Sequence, residues 1–196
     1  GNHLARKIER LLHVLLSPIP CLSDANANSR QAWHFSARFG VGVSMSAEKM
    51  VVPRRSLLYM PGANARALEK AEAIDCDTII FDLEDAVASA AKTQAREQVR
   101  AALAQYQYGY RELVVRCNAL ETEWGLEDLQ TFATAPISAL LFPKIENPEQ
   151  ILRIKRELAL RGSSLPLWIM VETPTAVLNL QQFADDAAVT CLVMGT

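Results

Sequence analysis

The chain has 196 residues, half of them hydrophobic, and its 20 basic and 22 acidic residues leave a formal net charge of −2. That balance provides no basic footprint for nucleic acid and no electrostatic hold on an anionic membrane surface, so small, locally recognised ligands are the expected partners. No apolar run approaches the roughly 20 residues needed to span a bilayer; the run over 11–16 is broken by His13.

The first 44 residues hold five basic and two acidic residues, whereas 45–196 hold fifteen and twenty. Residues 1–50 read as an irregular N-terminal extension with one short amphipathic pattern over 4–16, and as no domain of their own. Met45 and Met50 directly precede the first strand signal. Translation is therefore expected to begin at one of them, the alternative being a flexible N-terminal arm. Cys21, Cys76, Cys117 and Cys191 are scattered with no CxxC pair, which predicts free thiols, no zinc and a reducing compartment. Pro18 and Pro20 follow the early apolar run without a cleavage pattern, so a cytoplasmic protein is expected.

Residues 51–196 form the expected domain. Short runs rich in Val, Ile, Leu and Phe predict strands over 56–60, 78–83, 113–117, 139–143, 167–171 and 189–194. Amphipathic segments predict helices over 64–74, 90–105, 123–132, 148–160 and 175–183, the first capped by Asn64 and the fourth started by Asn147-Pro148. Strict alternation with strands apolar on both faces implies a parallel sheet covered by helices. Two architectures fit: an open doubly wound sheet, or a (β/α)₈ barrel of about 250 residues cut short after six strands. The barrel is favoured because no glycine-rich phosphate loop follows the first strand and several different strands end in polar residues.

Those ends would share one rim, where a barrel gathers its chemistry. They bring Pro61-Gly62, then Asp82, Glu84 and Asp85, then Arg116 and Asn118, then Lys144 and Glu146, then Glu172. So many carboxylates need a cation or basic partners, and hard oxygen ligands suit Mg²⁺ better than zinc. The plainer alternative is that the acids cap the following helix or pair with Arg116 and Lys144. All three histidines, His3, His13 and His34, precede this domain.

The segments RSLLYMPG (55–62), DLEDAV (82–87), VRCN (115–118), PKIE (143–146) and VET (171–173), in this order and spacing, resemble the citrate lyase β-subunit family within the HpcH/HpaI aldolase superfamily. The resemblance implies a TIM-type barrel and Mg²⁺-dependent cleavage of a carbon–carbon bond beside an acyl thioester. The substrate would be of the citryl, malyl or citramalyl type, carried by CoA or an acyl carrier protein, and the enzyme a homo-oligomer, trimer or hexamer. It further implies Glu172 as a metal ligand, Arg116 as the two-pronged grip on the substrate carboxylate, and a second acidic ligand just beyond Thr196, without which metal binding would be weak. Glu84 and Asp85 are expected to orient metal waters or Arg116. Lys144 would offset carboxylate charge or pair with Glu146 or Glu172, and Pro61-Gly62 would let the backbone approach the ligand. Arg55 has no assigned role. Three alternatives stand beside this reading: a class II pyruvate aldolase acting on free 2-oxoacids, an inactive truncated fragment, and a haloacid-dehalogenase-type phosphatase. The last wants Asp-x-Asp where this chain has Asp82-x-Glu84.

Overall fold

A computed structural model of the protein describes residues 53–195. The expectations for the N-terminal extension, its amphipathic pattern and its start site lie outside the described residues. The strands are β1 (Leu57–Pro61), β2 (Thr78–Asp82), β3 (Glu112–Arg116), β4 (Ala139–Phe142), β5 (Leu167–Val171) and β6 (Val189–Met194). Between them run α1 (Ala65–Lys70), α2 (Lys92–Gln105), α3 (Gly125–Phe132), α4 (Pro148–Ala159), α5 (Pro174–Leu178) and α6 (Leu180–Asp185).

Local chemistry accounts for three of the six helix starts. Asn64 accepts from the Ala67 amide to start α1, and Asn147 and Gln150 form a reciprocal capping box at α4 with Pro148 in its first turn. Thr173 caps α5 by accepting the Ala176 amide at 3.1 Å, with Pro174 opening the helix. The single helix expected over 175–183 is two, because Asn179 leaves helical geometry (φ −100°, ψ 7°) and donates its side-chain amide to the Glu146 carbonyl at 2.8 Å.

All six strands are parallel and lie in sequence order, β1 to β6. Two apolar clusters flank the sheet. The larger combines one parity of the strands with residues from every helix, for example Phe81, Val115 and Ile169 against Val99, Phe132 and Ile154. The smaller holds strand residues only: Ile80, Val114, Ala139, Leu141, Trp168 and Met170, edged by Leu57, Cys191 and Val193. Every helix thus covers the same face. A doubly wound sheet reverses strand order and carries helices on both faces, so this is the singly wound half of the two expectations, a (β/α)₈-type barrel described through six strands.

The helix-free face is the barrel interior. Its N-terminal end is closed by Arg54, which donates to Glu112 at 2.5 and 2.8 Å and stacks 4.8 Å from the Trp168 ring. Arg55 lies at that same end, bound to Asp77 through its side chain and backbone, which gives it a structural place far from the rim. No helix among the described residues is long and apolar enough to cross a membrane.

Candidate active site

The period of two along a strand decides which side chains reach the interior. Thr78, Ile80 and Asp82 share one parity of β2, as do Glu112, Val114 and Arg116 of β3, and Asp82 and Arg116 are register partners. Glu172 continues the inward parity of Trp168 and Met170 one residue past β5. Three inward steps on three strands therefore deliver Asp82, Arg116 and Glu172 to one rim.

Arg116 is the centre of this rim. Its Nε and Nη2 donate to the Asp82 carboxylate at 2.7 and 2.5 Å, and both side chains are buried, 8% and 2% exposed. Nη1 points along the rim to Glu84 Oε2 at 3.2 Å, Asp85 Oδ2 at 3.3 Å and Met170 Sδ at 3.5 Å, and the Tyr59 ring lies 5.1 Å from the guanidinium. The two-pronged grip expected for a substrate carboxylate is thus made on Asp82. A buried guanidinium needs a fixed counter-charge whether or not ligand is bound, and only the Nη1 edge is left for a ligand. Burial works against the Arg116 charge, but the Asp82 bonds and the fields of Asp82, Glu84 and Asp85 outweigh it and raise the pKa.

Asp82 also receives the Glu84 amide at 2.8 Å and the Ala86 amide at 3.1 Å. One carboxylate thereby shapes the turn that presents the next two. Glu84 is 6% exposed; its Oε1 accepts from Lys144 Nζ at 2.9 Å, while its Oε2 receives no hydrogen bond. Asp85 is the outward one, its side chain 70% exposed.

Lys144 ties β4 to this cluster twice. It is the one non-glycine with positive φ (55°) among the described residues, a conformation that costs about 1–3 kcal/mol and collects at functional sites. The strained backbone turns its amide onto Glu172 Oε1 at 2.6 Å while its ammonium reaches Glu84. The expected pairing of its side chain with Glu146 or Glu172 is therefore replaced by Glu84, which raises the Lys144 pKa. Glu146 instead sits in the capping turn of α4, its amide donating to Gln150.

Glu172 is partly exposed, and its second oxygen lies over Gly195, where a Cβ would meet the Glu172 Cβ at 2.7 Å and Oε2 at 3.3 Å. The chain leaving β6 consequently passes directly against this carboxylate. At Gly62 a Cβ would meet the Asp82 carbonyl at 2.9 Å, Leu83 Cδ2 at 3.0 Å and Val99 Cγ2 at 3.1 Å. Its bareness serves packing of β2 against α2, and Pro61 precedes it at the strand end. Asn118 is likewise held inside the protein, donating to Asp128 at 2.6 Å and the Leu83 carbonyl at 3.0 Å.

Sequence reasoning passed over the supports beneath the rim. Lys92 and Arg96 lie four apart on the buried stripe of α2, with Ala95 and Val99. Cations on an otherwise apolar stripe were the available signal. A cavity of about 260 Å³ opens here, lined by Glu84, Asp85, Lys92, Asn118, Trp124 and Lys144 among others. A cleft elsewhere, formed by 133–135 and 162–166, has no ionisable lining residue.

The profile of the family described as HpcH/HpaI aldolase/citrate lyase matches residues 55–196. The chain belongs to that family. One similar family member is the (3S)-malyl-CoA thioesterase of Cereibacter sphaeroides, 44% identical over 144 residues, covering 74% of this chain and 49% of the relative. The mitochondrial citramalyl-CoA lyase of Rattus norvegicus is 33% identical over 74% of this chain and 45% of its own. Among solved structures, the citrate lyase β subunit of M. tuberculosis, complexed with oxaloacetate and magnesium, superimposes with a TM-score of 0.58 at 27% identity, covering 71% of this chain and 56% of that one. The chain spans about half the length of these curated relatives.

Proposed function

We propose that the chain carries the catalytic rim of a Mg²⁺-dependent carbon–carbon lyase. It would cleave a 3-hydroxyacyl thioester of the citryl, malyl or citramalyl type to a 2-oxoacid and an acetyl thioester, the acyl group borne by CoA or a carrier protein. The convergence of Glu172, Arg116, Glu84, Asp85 and Lys144 on one barrel rim supports this, together with relatives named for malyl-CoA and citramalyl-CoA.

Among the described residues no three acidic, histidine or cysteine groups stand close enough to enclose an ion. Mg²⁺ asks for less: one or two carboxylates, with water or substrate oxygens completing its shell. Glu172 fits as one such ligand, its Oε2 turned to the segment following β6, where the family resemblance expects the second acid. The ion, when bound, would polarise the substrate hydroxyl and adjacent carboxylate. The chain's own residues do the rest. The Lys144 amide fixes the Glu172 carboxylate, and Asp82 fixes Arg116 so that Nη1 faces the anionic end of the substrate. Glu84 and Asp85, at 3.2 and 3.3 Å from Arg116 Nη1, would orient that guanidinium or the waters around the ion. Cleavage breaks the bond between the carbinol carbon and the thioester's α-carbon, leaving the electron pair on the acetyl thioester as an enolate that then takes up a proton.

A second reading is thioester hydrolysis, favoured by the 44% identical relative named as a malyl-CoA thioesterase. It would use the same recognition of the hydroxyacid but break the carbon–sulfur bond. Citryl-, malyl- and citramalyl-CoA with Mg²⁺, followed for 2-oxoacid as a hydrazone and for free thiol, separate the two. We expect 2-oxoacid without thiol, loss of turnover in Arg116→Ala and Glu172→Ala with the circular dichroism spectrum retained, and a Mg²⁺-dependent rise in Tm that Glu172→Ala lacks. Thiol without 2-oxoacid replaces lyase by thioesterase; near-normal turnover in either variant removes that residue from the mechanism. The balanced charge and the free thiols of Cys76, Cys117 and Cys191 support a cytoplasmic setting, and a homo-oligomer, trimer or hexamer, follows from the family resemblance.

A further inference from the structure

We infer that Lys92 is the positioning residue of the acidic turn, anchoring the backbone of Leu83 and Glu84 from beneath so that Glu84 and Asp85 meet Arg116 and the substrate at a fixed height. This rests on the lyase reading for its catalytic consequence and on geometry alone for the anchoring.

Lys92 is 6% exposed, and its ammonium lies in the field of Glu84, Asp82 and Asp85, yet it bonds to none of their carboxylates. It donates instead to two main-chain carbonyls, Leu83 at 2.8 Å and Glu84 at 2.6 Å, and sits 5.5 Å from the centre of the Trp124 ring. An ammonium has three donors and no acceptor. Two are committed to consecutive peptide groups of the turn, and the aromatic face supplies the rest of its environment.

Its position is a poor one for helix stability. Lys92 opens α2, which has no side-chain cap and no acid in its first turn, and a cation there opposes the helix dipole. Burial also lowers its pKa, against the fields of Glu84, Asp82, Asp128 and Asp85. A lysine placed against both costs is explained by what it holds. The held turn sets the height of a carboxylate with one anchored oxygen: Lys144 bonds Glu84 Oε1 at 2.9 Å, while Oε2 faces Arg116 at 3.2 Å without a hydrogen bond.

One face of α2 serves both neighbouring strand exits. Four residues after Lys92, Arg96 donates to Asp128 at 2.7 Å; Asp128 accepts from the Asn118 amide at 2.9 Å and side chain at 2.6 Å. Asn118 then donates to the Leu83 carbonyl, the same oxygen that Lys92 holds. The exits of β2 and β3, carrying Glu84 and Arg116, are thereby joined at one atom.

Lys92→Met removes the anchor while keeping the length of the side chain, and Lys92→Arg keeps charge and donors. Amide hydrogen exchange in Lys92→Met is expected to quicken ~tenfold or more over 83–88, with β3 to β5 unchanged. Where orienting partners of a catalytic cluster are lost, activity or metal affinity falls ~10–100-fold. That size of loss is expected in kcat and in the Mg²⁺ concentration for half-maximal turnover, with KM for the thioester little altered and partial recovery in Lys92→Arg. Unchanged exchange over 83–88, or an increase shared equally by all strands, overturns the anchoring. Local loosening with kcat and Mg²⁺ response intact overturns the positioning role. A wild-type chain that neither turns over thioester nor responds to Mg²⁺ counts against the lyase reading, and the exchange pattern then decides the anchoring by itself.

Discussion

Replacing Asp82 by asparagine removes the counter-charge of a buried guanidinium and half of a turn. The Asp82 carboxylate receives Arg116 Nε and Nη2 at 2.7 and 2.5 Å and the Glu84 and Ala86 amides at 2.8 and 3.1 Å. Breaking a buried pair by removing one partner costs about 3–5 kcal/mol, because the other charge stays desolvated. Glu84 and Asp85, at 3.2 and 3.3 Å from Nη1, soften that loss towards its lower end, about 3 kcal/mol. For a domain of this size that is a fall in Tm of about 6–12 °C. Urea unfolding at pH 7 reads the loss directly, provided the denaturant slope is unchanged. Asp82→Asn with Arg116→Met should recover part of it, since the orphaned charge is then gone. A single variant costing under about 1 kcal/mol, the scale of an exposed pair, would refute the view that this bond organises the rim.

At the opposite end of the barrel, Asp77 titrates low, at about 2, first because the Arg55 side chain bonds it and then through the Arg55 and Ser56 amides. A depressed folded pKa stabilises above the unfolded value of about 4 and is lost as pH falls from there towards the folded one. Asp77→Asn should flatten the stability profile between pH 4 and 2, and an unaltered profile would show that the pair contributes nothing. Gly125 opens α3 where a Cβ would lie 2.2 Å from the Ala119 carbonyl oxygen. Gly125→Ala must displace backbone and should cost about 3 kcal/mol in urea midpoint analysis; a neutral result would mean that the β3 exit loop yields freely.

Strand and helix identities were legible because they rest on local period and capping: the predicted strands over 167–171 and 189–194 agree with β5 and β6 at both ends, and Asn64 and Asn147 cap the helices expected of them. The rim could be read for the same reason, since a polar residue one step beyond an apolar strand has nowhere else to go. Legibility failed wherever a side chain chose among distant partners. Arg116 and Asp82 are 34 residues apart and Lys144 and Glu84 are 60, and no local pattern ranks Asp82 above a substrate, or Glu84 above Glu146.

The sequence by itself determined alternation, strand parity and the polar strand ends, all consequences of backbone geometry and burial within a few residues. Tertiary structure alone decided that every helix covers one face, and hence that the sheet winds as a barrel. It also decided that Asp82 occupies the fork of Arg116, that a left-handed Lys144 joins Glu172 to Glu84, and that Lys92 lies beneath them. Those outcomes depend on which charges are desolvated together, and only the packed chain brings them within reach of one another.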